Sequence, residues 1–233
     1  MLFLVLAVAI PAEQPVAFSL RSGAAPEALG VSRDDDASPE GPGSLAVDGD
    51  GRVYVLDAVH RRVAVIGKSG ALDASIPLPS DTIEDFALLP SGDVVALDRL
   101  VDRRVFVIAP NGAVITSERI EGAGIDDGGL VTAIFADTTG VWLEVLHAEQ
   151  VRVLDATLTA GSARVTRPGL HFGADFVRLR KVGDAAQVLF FDGSGALRSD
   201  GVVRFTSLLE LAGLVAQGGD LWVAGHALVQ PVP

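Results

Sequence analysis

The fold is decided by two stretches of sequence that repeat each other, LAVDGDGRVYVLD at residues 45–57 and FALLPSGDVVALD at residues 86–98. In each stretch an apolar run, a polar turn with glycine and a second apolar run follow one another. β-Branched and aromatic runs separated by Gly, Asn, Asp and Pro are typical of β-hairpins. The copies lie 41 residues apart, so the chain is expected to have a repeat architecture.

The similarity continues beyond each hairpin. Residues 61–66 (RRVAVI) match residues 103–108 (RRVFVI), and the glycine turn at residues 67–71 then matches residues 109–113. Each unit therefore predicts four antiparallel strands within about 40 residues. A single sheet of this kind cannot bury both of its faces, so several must pack face to face around an axis. The sequence predicts an all-β fold, a β-propeller.

Three weaker copies follow, each recognised by two or more apolar runs. The runs are residues 131–136, 141–145, 151–154 and 162–166 in the third copy, 176–179 and 188–192 in the fourth, and 214–216 and 221–224 in the fifth. The second strands of the five units are predicted to start at Val53, Val94, Val141, Val188 and Leu221. We therefore expect five four-stranded blades, with six as the alternative.

The ends of the chain suggest how the ring closes. The fifth unit lacks an outer strand, whereas residues 15–20 (PVAFSL) form a strand-like run without a unit of its own. If this run supplies the missing strand, the ring closes by main-chain hydrogen bonds and leaves no long open edge. Residues 21–43 are rich in Gly, Pro, Ser and Asp and are expected to form a surface connector, in which residues 34–36 (DDD) are a solvated charge run.

Charge and composition exclude several classes of partner. The net charge is −12, the sequence pI is near 4.6, and Lys68 and Lys181 are the only lysines. Binding of nucleic acid requires clustered Lys and Arg, so we expect no nucleic-acid partner. The chain has no cysteine, which excludes disulfides and thiolate metal sites. We expect a monomer.

The N-terminus indicates export. Residues 1–10 are all apolar and are followed by Pro11-Ala12, which resembles a signal-peptide core with a small residue for cleavage. Ten residues are too few to span a bilayer as a helix. We predict a signal peptide at residues 1–12, a single propeller domain at residues 13–233 and a periplasmic or extracellular location without membrane insertion. A buried first strand, or a gene start placed too far downstream, is the alternative.

Residues 54–66, YVLDAVHRRVAVI, resemble the NHL repeat, in which a strand ends in Asp and a polar residue and Arg precede the next strand. The resemblance covers residues 41–114. It implies a propeller, usually of six blades, that relatives use mostly for binding and less often in enzymes such as lyases and lactonases.

Two acidic motifs are interpreted as structural. Asp57 and Arg62 stand at a strand end and the start of the next strand, as do Asp98 and Arg104, so each pair could meet across its hairpin. Because the arrangement recurs, we expect it to order the turn. Residues 48–51 (DGDG) resemble a calcium loop only briefly, since a valine stands where the bidentate Glu is needed, and they predict a hairpin turn.

The histidines give a metal-site hypothesis. His60, His147 and His226 each follow the predicted second strand of a unit and would lie on one face of a ring. Three imidazoles could hold a divalent metal, as the resemblance to propeller lyases implies. Since the three lie on separate blades, we expect them not to converge, and we predict no metal or other cofactor. Trp142 and Trp222 occupy equivalent strand positions, which favours packing between blades over stacking on a ligand.

The sequence contains neither a phosphate-binding glycine loop nor a serine-hydrolase elbow, and no convergent catalytic set can be recognised. We therefore predict no catalytic residues and a non-enzymatic scaffold that binds a protein, peptide or glycan through loops on one face. The sequence does not identify the ligand-binding residues. A metal-dependent lyase or hydrolase with its site at the central channel is the alternative.

Overall fold

The computed structural model describes residues 20–31, 41–161, 164–172, 174–204, 208–217 and 220–227, with only the main chain described in the last two ranges. These residues form β-strands and one 3₁₀ helix, Gly128–Leu130, and contain no α-helix. Within them, no helix is long and apolar enough to cross a membrane.

The strands form four four-stranded antiparallel sheets and one two-stranded sheet. Sheet 1 contains β1 (Leu45–Val47), β2 (Val53–Asp57), β3 (Arg62–Ile66) and β4 (Leu72–Pro77). Sheet 2 contains β5 (Asp85–Leu88), β6 (Val94–Asp98), β7 (Arg104–Ile108) and β8 (Val114–Arg119). Sheet 3 contains β9 (Val131–Asp137), β10 (Gly140–Val145), β11 (Glu149–Asp155) and β12 (Thr166–Arg167). Sheet 4 contains β13 (Leu170–Phe172), β14 (Asp175–Val182), β15 (Ala185–Phe191) and β16 (Leu197–Arg204), and sheet 5 contains β17 (Leu208–Gln217) and β18 (Asp220–Ala227).

Each four-stranded sheet follows the order of the chain, so its hairpins fall at two opposite ends. At one end the turns repeat a single geometry. In the β1–β2 turn the N–H of Gly51 donates to the carbonyl of Asp48, and Gly51 has φ of +78°. Gly92, Gly112 and Gly195 repeat this bond and this left-handed φ in other hairpins. Glycine takes that conformation without steric cost, which confirms residues 48–51 as a hairpin turn.

Apolar side chains on alternate strand positions hold the sheets together. One face of sheet 1 packs against sheet 2 in a cluster that includes Leu56, Val63 and Phe86. The opposite face of sheet 2 packs against sheet 3 in a cluster that includes Leu97 and Leu143. Since successive side chains of a strand point to opposite faces, one repeat supplies both interfaces.

The sheets succeed one another in space as they do along the chain. The first strands β1 and β9 both lie beside β5, and β17 lies beside β13 and β14. Face-to-face packing of four-stranded sheets in chain order is consistent with a β-propeller. The described residues form four four-stranded sheets, where the sequence predicts five. Residues 15–19, which are predicted to close the ring, lie outside the described residues.

Sheet 4 corrects the strand assignment made from the sequence. The sequence places Val188 in a second strand, but its strand, β15, is the third of the sheet. The first strand, β13, has only three residues and leaves too short an apolar pattern to detect. In sheet 3 the fourth strand is β12, Thr166–Arg167, instead of residues 162–166, of which residues 162 and 163 lie outside the described residues.

The connector is partly buried, which also differs from the expectation of a surface segment. Ala28 is buried, and Leu29 packs with Leu20 against the outer face of sheet 1. Sheet 1 presents Ala64 and Ile66 on that face, and the connector covers them. The free energy gained by removing this apolar surface from water explains the burial. The predicted charge run at residues 34–36 lies outside the described residues.

Candidate functional site

The loops between second and third strands lie together at one end of the molecule, which we call the loop face. It consists of residues 58–61, 99–103, 146–148 and 183–184. Connections from a fourth strand to the next first strand reach the same end, because the strands of each sheet alternate in direction. The loop face thus receives two sets of loops from the repeated units.

Exposed apolar side chains stand at the tips of the loop face. Leu100 is 54% exposed, Val101 63% and Leu146 62%. Val59 is also exposed, and Val182 precedes the last of these loops with an exposed side chain. The turns at the opposite end instead consist mainly of Gly, Asp, Ser and Asn. Grouped apolar side chains on a folded surface mark interaction sites more often than scattered ones do.

Several non-glycine residues in these loops have a left-handed backbone conformation. Arg61 has φ of 52° and Arg103 has φ of 53°, at equivalent positions of their loops. Leu146 and His147 share this conformation in the third loop, with φ of 54° and 53°. Such residues are unfavourable by about 1 kcal/mol or more and persist only where their surroundings hold them, often near binding sites.

Ion pairs within the loop face provide part of that support. Arg61 pairs with Asp81 of the connection leading to sheet 2. Arg103 makes the same kind of pair with Glu121 of the next connection, with 2.7 Å between Nη1 and Oε1. The recurring arginines Arg61 and Arg103 therefore join loops of the same face.

His60 belongs to a buried cluster around Asp57. The Asp57 carboxylate accepts hydrogen bonds from Nδ1 of His60 and Nε of Arg62, both at 2.9 Å, and from the N–H of Gly30 at 3.0 Å. Burial acts to raise the pKa of Asp57, but the hydrogen bonds from His60, Arg62 and Gly30 outweigh it and hold this pKa below the ordinary value. Arg62 also donates to the carbonyl of Ala28. The predicted Asp57–Arg62 pair is confirmed, and it anchors the connector.

The second predicted pair does not form. The carboxylate of Asp98 accepts from the hydroxyl of Thr82 and from the N–H groups of Val101 and Asp102, the latter two at 2.9 Å. Arg104 donates instead to the hydroxyl of Ser117 at 2.9 Å. The expectation was wrong because sheet 2 has no connector on its face to hold an arginine across the hairpin.

The metal hypothesis concerns His60, His147 and His226. Nδ1 of His147 lies 3.1 Å from the Glu144 carboxylate in sheet 3, while His60 is engaged with Asp57 in sheet 1. The side chain of His226 lies outside the described part of the molecule, although its main chain belongs to β18. Among the side chains that the structure describes, no three His, Asp or Glu residues come close enough to hold one metal ion.

A second candidate site is a cleft between sheets 3 and 4. It has a volume of about 320 Å³. Its lining comprises Thr139, Trp142, Arg152, Val165, Thr166, Arg167, Pro168, His171, Phe176 and residues 193–195. Thr139 follows the first strand of sheet 3, and residues 193–195 form the turn between the third and fourth strands of sheet 4. The lining therefore includes turns at the end opposite the loop face.

Trp142 forms the floor of this cleft. It is only 4% exposed, and its Nε1 donates to the hydroxyl of Thr139 at 3.0 Å. The guanidinium of Arg167 lies on the indole, with Cζ 3.9 Å from the ring centroid. Burial between sheets is confirmed for Trp142, while the side chain of Trp222 lies outside the described residues. The two cleft arginines were not predicted from the sequence; the one available signal is Arg152, which lies between Val151 and Val153 and therefore on the other face of β11.

Several solved structures share this arrangement of sheets. The WD40 β-propeller domain of Doa1 superposes with a TM-score of 0.53 at 14% identity, over 80% of this chain and 61% of that one. The chain has a β-propeller fold. Hydrazine synthase of Kuenenia stuttgartiensis gives 0.56 at 13% identity, over 82% of this chain and 57% of that chain. Virginiamycin B lyase from Staphylococcus aureus gives 0.47 at 15% identity, over 83% and 69% of the two chains.

These identities are low, so the similarity concerns the fold. The chain spans less than two thirds of the hydrazine synthase and Doa1 chains. Neither a protein-family model nor the sequence of a curated protein matches the chain.

Proposed function

We propose that the protein is a non-enzymatic propeller scaffold of NHL-like repeats that binds a protein, peptide or glycan through its loop face. The proposal includes five blades, with the run at residues 15–20 as the closing strand. It also includes export after removal of residues 1–12, a monomeric state and the absence of a nucleic-acid partner.

The observation that carries the proposal is the exposure of apolar side chains at the loop tips. Leu100, Val101 and Leu146 lie in two loops of neighbouring sheets, and all three are more than half exposed. Removing such side chains from water favours association by about 25 cal/mol per Å² of apolar surface, before the costs of binding. The left-handed backbone and the ion pairs of the same loops preorganise the tips, which reduces the entropy lost on binding.

The structure favours a macromolecular ligand at this face. The tips project from separate sheets, so one ligand must span several loops to contact them together. A peptide or protein chain has that length and carries apolar side chains of its own, and a glycan can span the same loops with the apolar faces of its sugar rings. Aromatic or aliphatic anchors surrounded by polar residues are typical of protein interfaces.

The direct test uses a displayed library of random peptides and a glycan array, each screened with the purified protein. A triple variant, Leu100→Ser, Val101→Ser and Leu146→Ser, removes the apolar tips without touching the sheets. We expect selected ligands to lose about tenfold or more in affinity for this variant. The matched control is Val114→Ser with Ile115→Ser, which removes exposed apolar side chains from the edge strand β8.

Two results would contradict the scaffold proposal. One is binding that the loop-face variant and the edge variant weaken equally. The other is turnover of compounds from a lactone and glycan panel together with a stoichiometric transition metal in the purified protein. The second result would support the metal-dependent lyase or hydrolase. Substitution of His60, His147 and His226 with alanine would then test whether these residues hold the metal.

A further inference from the structure

The interface between sheets 3 and 4 differs in chemistry from the other described interfaces. Clusters of buried aliphatic and aromatic side chains fill the interfaces between sheets 1 and 2 and between sheets 2 and 3. Sheet 3 presents valines and leucines to sheet 2, but Trp142, Gln150 and Arg152 to sheet 4. A polar, arginine-containing interface is unfavourable unless its polar groups have partners.

Arg167 is buried in the floor of the cleft, and two of its three guanidinium nitrogens have hydrogen-bond partners. Its side chain is 3% exposed, its Nη1 lies 2.6 Å from the Asp137 carboxylate, and its Nε donates to Gln150 at 2.7 Å. The third nitrogen, Nη2, is buried without a hydrogen-bond partner among the described residues. The guanidinium lies on Trp142, where the ring quadrupole stabilises it. Arg167 thus fixes the floor, and its positive charge is offset by Asp137.

Arg152 also lies over the Trp142 indole, with Cζ 5.6 Å from the ring centroid, but it has no carboxylate partner among the described side chains. Its one hydrogen bond is a long contact of 3.4 Å from Nη1 to the carbonyl of Thr139. No ion pair among the described side chains includes it, and the nearby Asp155 accepts hydrogen bonds from Thr157 and Thr159 instead. Arg152 therefore places on the wall of the cleft a guanidinium that no described carboxylate hydrogen-bonds, in a chain whose net charge is −12.

The remaining walls are apolar or neutral. Pro168 and Phe176 provide apolar surface, and the ring of His171 lies 4.6 Å from that of Phe176. Burial, and then the nearby Arg167, hold the pKa of His171 below its ordinary value, so this imidazole is neutral at pH 7. The cleft therefore offers one cation beside an apolar wall, within a volume near the lower end of the range for small-molecule sites.

We propose that this cleft binds a small organic carboxylate, with the carboxylate paired to Arg152 and the apolar body against Pro168 and Phe176. A guanidinium matches the planar geometry of a carboxylate in a bidentate pair. A dianionic phosphate would retain one uncompensated negative charge beside a single guanidinium, whereas a carboxylate is neutralised by it. The lining of the cleft contains none of the loop-tip residues Leu100, Val101 and Leu146, so this site is independent of the proposed scaffold function.

The test compares ligands that differ only in charge. The native full-length protein is titrated calorimetrically with benzoate, phenylacetate and cyclohexanecarboxylate, and then with the corresponding amides. We expect saturable binding of at least one carboxylate and binding of its amide that is about tenfold weaker or less, because the amide cannot pair with the guanidinium. Equal affinity for acid and amide, or no saturable binding of any of these acids, would overturn the proposal.

A matched pair of variants locates the site. Arg152→Gln removes the proposed partner, and Arg119→Gln removes the same charge from an exposed position on β8 that is not part of the cleft. We expect Arg152→Gln to weaken carboxylate binding by about tenfold and Arg119→Gln to leave it unchanged. An equal loss in both variants would indicate attraction to overall charge and would also overturn the proposal. If Arg152→Gln fails to fold, the comparison of acid and amide still tests the proposed carboxylate site on the native protein.

Discussion

Asp57 shows how a single side chain connects separate parts of the chain. Its carboxylate is inaccessible to solvent and accepts hydrogen bonds from His60, Arg62 and Gly30. Arg62 in turn donates to connector carbonyls. Loss of the carboxylate would leave the buried guanidinium unpaired, which is the costly way to break a buried ion pair.

We predict that Asp57→Asn lowers the free energy of unfolding at pH 7 by about 3 kcal/mol. The folded-state pKa of Asp57 lies below its unfolded value. The stabilisation is therefore complete above about pH 4 to 5 and is lost as the pH falls through the folded-state pKa. Denaturant unfolding between pH 3 and pH 7 should show a steeper acid loss in the native protein than in the variant. The control is Asp184→Asn, at an exposed turn position; equal acid slopes for the native protein and Asp57→Asn would contradict the prediction.

Trp142 is a large side chain buried between sheets 3 and 4. It is 4% exposed and packs under Arg167, so Trp142→Ala removes a large buried ring and leaves a cavity. We expect a loss of about 3 to 5 kcal/mol in the free energy of unfolding, measured by chemical denaturation. Leu146→Ala, at an exposed loop tip, should change it by no more than about 0.5 kcal/mol. A loss below about 1 kcal/mol for Trp142→Ala would show that the ring is not buried between sheets.

The connector packs on the outer face of sheet 1 and is not a free loop. Residues 20–31 bury Ala28 and place the N–H of Gly30 on Asp57. The close approach requires a residue without a side chain. A Cβ added at Gly30 would lie 2.5 Å from Cβ of Val59 and 2.6 Å from Oδ1 of Asp57. Cβ of Val59 is held by its own main chain, and Oδ1 of Asp57 belongs to a buried carboxylate, so neither atom can move away easily.

We predict that Gly30→Ala displaces the connector from sheet 1. Amide hydrogen exchange at residues 28–30 should accelerate by about tenfold or more, because the hydrogen bond from Gly30 to Asp57 cannot form beside the new methyl group. The control is Gly49→Ala, where an added Cβ meets nothing within 4 Å. Unchanged protection of residues 28–30 in Gly30→Ala would show that the connector tolerates the methyl group and that the contact does not hold it.

Closure of the ring depends on the free edges of sheet 5. Sheet 5 has two described strands, and within the described residues β18 pairs with β17 alone. An unpaired strand edge exposes main-chain N–H and C=O groups and promotes association with other chains. The proposed closing run at residues 15–20 would cover such an edge.

We predict that deletion of residues 1–20 produces aggregation, whereas deletion of residues 1–12 leaves a monomer. The two deletions differ only in residues 13–20, which contain the proposed closing strand, so the comparison separates loss of the strand from loss of the signal peptide. Size-exclusion chromatography with light scattering measures the association state. A monomeric state and an unchanged melting temperature in the longer deletion would refute closure by this run.

The local pattern of apolar and turn residues determines the strands of the two clear repeats. The hairpins at residues 45–57 and 86–98 are encoded by alternating apolar residues and by turns that need glycine at a left-handed φ. Both signals act between residues close in sequence, so the sequence predicts the strands and their antiparallel order. The pattern fails at β13, where three residues are too few to show a period.

Tertiary structure alone decided which polar side chains have partners. The sequence places Asp57 and Asp98 in equivalent positions, yet only Asp57 binds its arginine, because the connector packs on sheet 1 and provides acceptors for Arg62. Arg152 and Arg167 both lie in strands of sheet 3, but Asp137 at the end of β9 and Gln150 in β11 bind Arg167, whereas no described carboxylate pairs with Arg152. The energy of a charged group depends on neighbours that are distant in the chain, and only the packed sheets bring those neighbours together.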